Sequence, residues 1–460
     1  MSKYILILAA GKGTRMKSDL PKVLHEVAFH PMLYHVLAAA GAIENDGIFT
    51  VVGHGKAEVE AAFAGETAFV LQEEQKGTGH AVKTALNSAF ADKENGTVLV
   101  LCGDTPLLRG ETLSALLACH ENCGNLVTVL TASLAEPFGY GRIIRDENNQ
   151  VCRIVEEKDA SAAEKAVQEI NSGVYCFDLA FLKKAVGQLA HNNCQGELYL
   201  TDTVAICYET GGKTGAYVID DFEEVKGVND RAQLAEAAKI LRRRKAEAAM
   251  RDGVTLIDPD TTWIDTAAEI GADTVIEPFS VIRGKTVIGA NCRIGPNAEL
   301  IDTVLGDGVT FWRSVAQKAK IGDVCCIGPF SYLRPGTVLA DHVKIGDFVE
   351  VKNSNIGEHT KVPHLTYVGD SDIGSGCNIA CGTITCNYDG FHKTRTTIGD
   401  GAFVGCNVNL VSPIHIEDGA YIGAGSTITK DVPTDALAVA RNHQTNVEGW
   451  AARFRNLNKK

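Results

Sequence analysis

The stretch IGDGAFVGCNVNLVSPIHIEDGAYIGAGSTI, residues 398–428, has an aliphatic residue at every sixth position. Two earlier stretches, 264–294 and 321–351, keep the same spacing. A period of six fits neither an α-helix nor an isolated alternating strand, but it fits a prism of short strands in which each unit supplies one wall and one corner. The chain from residue 253 is therefore predicted to form a parallel β-helix with these side chains pointing inward: Ile264, Ile270, Ile276, Ile282, Ile288, Ile294, Ile321, Ile327, Leu333, Leu339, Ile345, Val351, Ile398, Val404, Leu410, Ile416, Ile422 and Ile428.

The residues before position 229 follow a different pattern, in which β-branched runs alternate with segments of helical spacing. Such alternation predicts a mostly parallel sheet covered on both faces. Strands are expected at Tyr4–Ala9, Ile48–Val52, Val98–Cys102, Leu126–Leu130 and Gly173–Phe177, and helices at Pro31–Ile43, His80–Phe90 and Glu111–His120. The predicted organisation is a first domain at 1–228, a linker helix at 229–252, a β-helix domain at 253–437 and a C-terminal tail at 438–460.

Composition restricts the class of function. The 460 residues carry a formal net charge of −13 and fourteen cysteines without framework spacing. The negative charge argues against nucleic acid or an anionic membrane as a partner, so an anionic substrate must be held by locally placed Lys and Arg. No apolar run approaches the ~20 residues of a membrane span, and the apolar part of the first ten residues is short for a signal peptide. Scattered thiols are typical of a reducing compartment, so a cytoplasmic location is expected.

A glycine-rich segment, LAAGKGTRM at residues 8–16, directly follows the first predicted strand. Gly11 and Gly13 would let backbone N–H groups close around an oligophosphate, with Arg15 and Lys22 adding positive charge. The alternative is a tight strand-to-helix turn, because the segment is neither a Walker loop nor a complete dinucleotide fingerprint.

Two residues are candidate metal ligands in the same domain. Asp104 follows a buried strand at the edge where open α/β sheets bind ligands, which favours a magnesium ligand over a turn-capping Asp. Asn229 is either the second ligand or the cap of the following helix, and spacing alone does not separate these alternatives.

His364 lies between two repeat positions of the predicted β-helix. A lone histidine there is more often a wall or surface residue, but Arg334 and Lys352 are close enough in coil register to lie near it and bind an anion. Between Ile379 and Ile398 the repeat is interrupted by CGTITCNYDGFHKTRTT, which is predicted to contribute to a binding surface.

Three cysteines, Cys377, Cys381 and Cys386, lie in this region. Their spacing lacks a paired Cys-x-x-Cys set, so small inward-facing or loop residues are favoured over a metal cluster.

Several motifs together resemble one family. LAAGKGTRM with Pro21-Lys22, QEEQKGTGHA (72–81), GDTPL (103–107) and GYGR (139–142) resemble the sugar-1-phosphate nucleotidyltransferases. With EINSGVY, GELYLTD, EVKGVNDR, HLTY and TITCNYDG, the chain is similar nearly end to end to the bifunctional N-acetylglucosamine-1-phosphate uridyltransferases/glucosamine-1-phosphate acetyltransferases. The resemblance implies an α/β nucleotidyltransferase domain with a Rossmann-like mixed sheet, followed by a left-handed parallel β-helix. It also implies acetyl transfer from acetyl-CoA to glucosamine-1-phosphate, then uridylyl transfer from UTP to N-acetylglucosamine-1-phosphate with release of pyrophosphate.

For uridylyl transfer the resemblance implies three sets of residues. The nucleotide would contact Leu8, Ala9, Ala10, Gly11, Gly13, Arg15, Lys22, Gln72, Gly77 and Thr78. Mg²⁺ would be bound by Asp104 and Asn229. The sugar phosphate would contact Gly141, Glu156, Asn171, Tyr199 and Thr201. No protein nucleophile is needed, since the sugar phosphate itself attacks the α-phosphorus of UTP.

For acetyl transfer the resemblance implies that His364 is the general base, oriented by Glu350, and takes a proton from the 2-amino group of the sugar. The sugar phosphate would contact Arg334, Lys352, Tyr367, Asn378 and Lys393. Acetyl-CoA would lie along Cys381, Asn387, Tyr388, Cys406, Ala424 and Arg441. The family's acetyl site is built between subunits, which implies a homotrimer.

The sequence departs from the family pattern at four positions. Cys102 stands where a larger residue is usual, which leaves the packing of the nucleotide pocket open. Pro363 replaces a glycine, which restricts the preceding backbone and removes an N–H. Cys381 and Cys406 replace small residues nearly isosterically, so activity is expected to survive.

Two alternative functions would use the same two domains. A nucleotidyltransferase with a β-helix scaffold would not need His364, Arg334 and Lys352, and all three are present. A non-catalytic regulatory subunit would not need Arg15, Lys22 and Asp104, and all three are present. The bifunctional enzyme is therefore the favoured function.

Overall fold

The computed structural model describes residues 1–459, which divide between two compact units, 1–241 and 242–459. Within residues 1–459, no helix is both long enough and apolar enough to cross a membrane. The division falls inside the helix Arg231–Arg251, in the segment where the sequence predicts a linker helix.

The first unit is built on a mixed sheet. Its strands lie in the order Thr214–Ile219, Val127–Ser133, Glu169–Asp178, Thr97–Cys102, Lys3–Leu8, Ile48–Val52 and Ala68–Leu71. Neighbours are parallel except that Glu169–Asp178 runs antiparallel to the strand on each side. Arg142–Arg145 and Val151–Val155 form an antiparallel pair beside it, and Glu26–Val27 pairs separately with His30–Pro31. The prediction of a Rossmann-like mixed sheet is confirmed.

Both faces of this sheet are buried, which explains the uninterrupted apolar runs Ile5–Leu8 and Val98–Leu101 in two of its central strands. In Lys3–Leu8, Ile5 and Ile7 point into one buried cluster and Leu6 into another, because successive side chains of a strand point to opposite faces. The helices of this unit are Met32–Gly41, Lys56–Ala62, Thr78–Asn87, Gly110–Cys123, Ala162–Lys165, Leu179–Val186 and Asp202–Glu209, with 3-10 turns at Thr14–Met16, Lys22–Leu24 and Phe222–Val225.

The helix Arg231–Arg251 is capped by Asp230, whose carboxylate accepts a hydrogen bond from the backbone N–H of Gln233 at 2.8 Å. In the first unit, Ile240 packs in a small buried cluster with Val228. In the second unit, Ala246 and Ala249 belong to the buried core of the repeats. Asp230, rather than Asn229, therefore satisfies the helix start.

The second unit is a parallel β-helix with three sheets, and the prediction of a left-handed hexapeptide β-helix is confirmed. The first sheet contains Thr255–Leu256, Val275–Ile276, Arg293–Ile294, Thr310–Phe311, Cys326–Ile327, Lys344–Asp347, Lys361–His364, Asn378–Ile379, Phe403–Val404, Tyr421–Ile422 and Leu437–Ala438. The second contains Trp263–Ile264, Val281–Arg283, Glu299–Ile301, Val315–Gln317, Tyr332–Leu333, Glu350–Lys352, Tyr367–Gly369, Ile384–Cys386, Asn409–Val411 and Thr427–Ile428. The third contains Glu269–Ile270, Val287–Ile288, Val304–Leu305, Lys320–Ile321, Val338–Leu339, Asn355–Ile356, Ser371–Ile373, Thr396–Ile398 and Ile414–Ile416, and a last helix follows at Trp450–Leu457.

The predicted inward positions all contribute to one continuous core, in which Ile270 is partly buried and the others are buried. Each coil uses three hexads, so strands one coil apart pair at spacings such as Ile276 with Ile294. Burying an aliphatic side chain of this size contributes roughly 1.5–3 kcal/mol. The repeats are therefore held together by the same side chains that define their period.

The interruption of the repeat is shorter than the sequence suggested. Ile384–Cys386 is a regular strand of the second sheet, and the extra residues lie between Cys386 and Thr396. Ile373 consequently pairs with Ile398, whereas its partner one coil earlier is Ile356. The first half of the segment predicted as an insertion is thus part of the wall.

Candidate active sites

A cavity of about 370 Å³ opens at the carboxyl edge of the central sheet. Leu8 and Cys102 end neighbouring parallel strands and pair in register, so the glycine-rich segment and the Asp104 segment leave the sheet side by side. The residues proposed from sequence for the nucleotide all line it: Leu8, Ala9, Ala10, Gly11, Gly13, Arg15, Lys22, Gln72, Gly77 and Thr78.

One wall of this cavity requires glycine. Gly77 has φ +101°, and a Cβ there would lie 2.6 Å from the carbonyl oxygen of Leu198. Beside it, the buried Gln72 side chain hydrogen-bonds with Nδ1 of His80 at 2.9 Å. The backbone of residues 77–78 can therefore approach a ligand closely, with a fixed amide next to it.

The floor of the cavity brings together two oxygen donors and two cations. Lys22 Nζ contacts the Asp104 carboxylate and donates to the Asn229 side-chain oxygen at 2.9 Å. Arg15 also donates to that Asn229 oxygen, at 2.8 Å. A carboxylate and an amide oxygen that converge on one positive charge are the donor set that Mg²⁺ prefers. Asp104 and Asn229 therefore fit a divalent cation, although they are far apart in sequence.

The five residues proposed for the sugar phosphate lie around the antiparallel strand. A Cβ on Gly141 would be 3.4 Å from a carboxylate oxygen of Glu156 and 3.5 Å from Cβ of Asn171. Burial raises the pKa of the Glu156 carboxyl, the neighbouring Asp159 raises it further, and the Thr201 hydroxyl partly opposes this. The pKa of Tyr199 is also raised, by burial first. The structure thus brings this set together.

Cys102 lies between the two subsites. Its thiol donates to the carbonyl of Gly173 at 3.5 Å, at the register shift of Glu169–Asp178. Burial, and then the Asp104 carboxylate, raise the pKa of Cys102 to about 12. The side chain is therefore a neutral thiol.

In the second unit, His364 ends a strand of the first sheet and pairs in register with Asp347, one coil earlier. His364 Nδ1 hydrogen-bonds with the Asp347 carboxylate. Glu350, which the resemblance implied as the orienting residue, accepts a hydrogen bond from Arg334 at 2.7 Å. Position 350 belongs to the second sheet, whereas position 347 shares the sheet of His364.

A cluster of three cations lies on the second sheet and the inserted loop. Arg334 and Lys352 follow paired positions of adjacent coils, since Leu333 pairs with Val351. Contact with the Lys352 ammonium lowers the pKa of Lys393, and Arg334 adds to this repulsion. Like charges held this close favour an anionic ligand.

The cation cluster is anchored by Asp370, which accepts from Lys352 at 3.4 Å and from the side-chain amides of Asn353 and Asn387. Burial alone would raise the pKa of Asp370, but the amide hydrogen bonds and the Lys352 charge bring it below its ordinary value. Asn387 is therefore a buried residue that supports Asp370, whereas Tyr388 is exposed.

The other proposed sugar-phosphate residues lie on different walls. Tyr367 pairs with Glu350 on the second sheet, next to the cation cluster. Asn378 lies on the first sheet, where it pairs with Lys361. The corner that separates these walls is the one that follows His364.

The residues proposed for acetyl-CoA stack along that corner. Backbone N–H groups of the residues after Cys381, Cys406 and Ala424 link the coils, with Gly382 donating to the carbonyl of His364 at 3.4 Å, Asn407 to that of Cys381 at 2.8 Å and Gly425 to that of Cys406 at 2.8 Å. The Arg441 side chain then approaches Gly425, with Cδ 4.0 Å from a Cβ placed there. They form one line parallel to the β-helix axis.

Pro363 and two of the cysteines considered above as a metal cluster fit the β-helix. Pro363 lies within the strand Lys361–His364, and the buried Val362 keeps the inward position. Cys377 is buried, and its thiol donates to the carbonyl of Gly399 at 3.0 Å. Cys386 is half-buried at the end of a strand. These thiols occupy repeat and corner positions.

Several residues of both sites were not proposed from sequence. Gln75 and Glu197 line the nucleotide cavity, and Asp347 and Asp370 hold His364 and Lys352. Counting one coil back from His364 would have found Asp347, because paired residues in this region are 17 or 18 positions apart.

Comparison with known proteins agrees with both units. Residues 5–169 match the MobA-like NTP transferase domain, and residues 267–302, 318–353 and 395–430 match the bacterial transferase hexapeptide (six repeats). A bifunctional protein GlmU of Carboxydothermus hydrogenoformans is 51% identical over 97% of this chain and 99% of its own length. The GlmU proteins of Brevibacillus brevis (50% identical, 100% of both chains) and Heliobacterium modesticaldum (52%, 97% of both) are similar to the same extent. The resemblance found in the motifs is confirmed, and the chain belongs to the family of bifunctional GlmU proteins.

Proposed function

We propose that this enzyme makes UDP-N-acetylglucosamine in two steps, with acetyl transfer in the second unit and uridylyl transfer in the first. The observation that carries this proposal is that one chain holds two separate anion sites, each with the polar groups that its reaction needs. The first has Lys22, Arg15 and Asp104 in a cavity, and the second has a cation cluster beside His364.

In the first unit, the backbone around Gly11 and Gly13, together with Arg15 and Lys22, binds the UTP phosphates. Lys22 exchanges its contacts with Asp104 for phosphate oxygens. Asp104 and Asn229 would hold Mg²⁺, which when bound neutralises phosphate charge.

The subsite of Gly141, Glu156, Asn171, Tyr199 and Thr201 orients N-acetylglucosamine-1-phosphate. One of its phosphate oxygens attacks the α-phosphorus of UTP in line, the new P–O bond forms, and pyrophosphate leaves. Positioning and charge carry the catalysis, since no covalent enzyme intermediate forms.

In the second unit, Arg334, Lys352 and Lys393 bind the phosphate of glucosamine-1-phosphate, with Tyr367 and Asn378 at the sugar. His364 accepts a proton from the 2-amino group as the nitrogen attacks the thioester carbonyl. The C–N bond forms, the C–S bond breaks, and CoA leaves after the proton passes to its sulfur. Acetyl-CoA lies along the corner line formed by Cys381, Cys406, Ala424 and Arg441, with Asn387 and Tyr388 beside it.

We further propose a homotrimer assembled through the β-helix and located in the cytoplasm, where UTP and acetyl-CoA are found. Exposed aromatic residues follow the corner of the first and second sheets, and Phe330 stacks on Phe348 with ring centroids 5.3 Å apart. An exposed apolar column of this kind is typical of an interaction surface. Analytical ultracentrifugation should give the mass of a trimer. A monomer at micromolar concentration would contradict the proposed assembly.

The test of function is incubation with glucosamine-1-phosphate, acetyl-CoA, UTP and Mg²⁺, with each component omitted in turn and products followed by mass spectrometry. UDP-N-acetylglucosamine is expected only with the full set, and N-acetylglucosamine-1-phosphate should accumulate without UTP. If supplied N-acetylglucosamine-1-phosphate is converted but never made, the β-helix is a scaffold and the acetyl-transfer half of the proposal fails.

A further inference from the structure

His364 and Asp347 form a side-chain pair across adjacent coils of the first sheet. The two residues are directly paired in the register of their strands. The hydrogen bond joins Nδ1 of the ring to Oδ1 of the carboxylate. The side chains are 56% and 36% exposed, so the other ring nitrogen is accessible to a substrate.

We propose that Asp347 is a positioning residue for acetyl transfer, which holds the His364 ring with Nδ1 toward the carboxylate and Nε2 toward the substrate amine. This inference rests on the proposed role of His364 as the general base. It assigns to Asp347 the orienting role that sequence had given to Glu350, which is instead paired with Arg334.

The pair has two physical consequences. A hydrogen bond from Nδ1–H to a carboxylate selects the tautomer whose Nε2 carries the free lone pair. The carboxylate charge also stabilises the ring after it has accepted a proton. The reciprocal effect is present, since the hydrogen bond from His364 lowers the pKa of Asp347.

The hydrogen bond places the Asp347 carboxylate against the ring. Lys344 and Lys361 lie three residues earlier on the two paired strands, which is about 10 Å along each strand. The next strand of this sheet, Asn378–Ile379, is uncharged and is followed by Cys381. The titratable groups on the neighbouring wall are Tyr332, Arg334, Glu350, Lys352 and Tyr367.

The test compares Asp347→Asn and Asp347→Ala with the unchanged protein in kcat and KM for acetyl transfer, each measured separately. Both variants should lower kcat, because the carboxylate that orients the ring is gone. Ala should lower kcat at least about tenfold, and Asn less, since its amide oxygen still accepts from Nδ1–H. The KM for glucosamine-1-phosphate should not change, because the cation cluster is intact.

A second measurement does not depend on catalysis. Diethyl pyrocarbonate reacts with the free lone pair of an imidazole, so its rate at His364 at one fixed pH, followed by peptide mass spectrometry, reports how the ring is held. The rate should fall in Asp347→Ala and less in Asp347→Asn, because the hydrogen bond to the carboxylate makes the other ring nitrogen more nucleophilic. Glu358→Gln is the matched control, since Glu358 pairs with a different exposed histidine, His359, at 3.2 Å and should leave the rate at His364 unchanged.

The outcomes separate this inference from the proposed function. If His364→Ala retains acetyl transfer, the assignment of the base is wrong. If His364→Ala is inactive while both Asp347 variants keep the kcat and the modification rate of the unchanged protein, the base stands and the role of Asp347 is overturned. A loss of the same size in Glu358→Gln also overturns it, because the effect would then be one of general surface charge.

Discussion

The two candidate sites differ in how the chain encloses them. The nucleotide site is a cavity bordered by loops from residues 8 to 229, in which the Lys22 side chain is only 11% exposed. The acetyl site lies on the outside of a prism, with His364 more than half exposed. A charge has a stronger effect where water is excluded, so the charged groups in the enclosed cavity interact more strongly than those on the exposed wall. Variants that lose one of the two activities and keep the other would support two independent sites. Loss of both activities in one variant would contradict them.

The largest expected effect is at the open site. His364→Ala should reduce acetyl transfer by about 10³-fold, because proton transfer from the amine is lost, and leave uridylyl transfer unchanged. The two half-reactions are assayed separately, with His359→Ala as the control. Loss of both activities in a variant that keeps its fold and mass would contradict the two-site arrangement.

A smaller effect is expected in the cavity. Asp104→Asn should lower uridylyl transfer by about 10²-fold and raise the Mg²⁺ concentration needed for half-maximal rate, because one negative oxygen donor is replaced by a neutral one. Acetyl transfer should be unaffected, and Asp92→Asn, an exposed change in the same unit, serves as the control. An unchanged Mg²⁺ dependence would exclude Asp104 as a ligand.

The smallest effect concerns stability. Burial raises the pKa of Glu156, so folding favours its protonated form, and the cost of the ionised form grows as pH rises through the folded-state pKa. Glu156→Gln should therefore raise the Tm of the first unit at pH 8, and the difference should shrink as pH falls toward 5. Calorimetry at several pH values measures this, and Glu136→Gln, an exposed site, should show no such trend. A gain independent of pH would exclude ionisation of Glu156 as the cause.

The sequence predicted the fold of the second unit more completely than the fold of the first. The β-helix follows from its period alone, because one buried aliphatic side chain defines each wall. The mixed sheet was recognised from alternating elements, but the antiparallel direction of Glu169–Asp178 has no local signature. Its register shift near Asn171, beside the residues proposed for the sugar phosphate, lies in its pairing with Val127–Ser133, a strand distant in sequence.

The same distinction applies to the sites. The glycine-rich segment and Asp104 could be proposed from the sequence because each belongs to a short motif directly after a predicted strand. Asp347 was missed because its partner is 17 residues away and its own surroundings, IGDFVE, look like any other corner. The loop was overestimated for a related reason, since Thr385 is polar yet buried in the wall. Side-chain partners across coils have to be counted from the register.

The line of stacked corner residues also sets fixed distances along the axis of the β-helix. Strands in neighbouring coils are about 4.8 Å apart, so the four steps from His364 through Cys381, Cys406 and Ala424 to Arg441 span about 19 Å. If acetyl-CoA binds along this line as proposed, with its far end at Arg441, its thioester arm must span about 19 Å to reach His364. Inserting one complete coil between Arg441 and His364 should then keep every wall packed, yet move the thioester carbon about 5 Å away from the histidine.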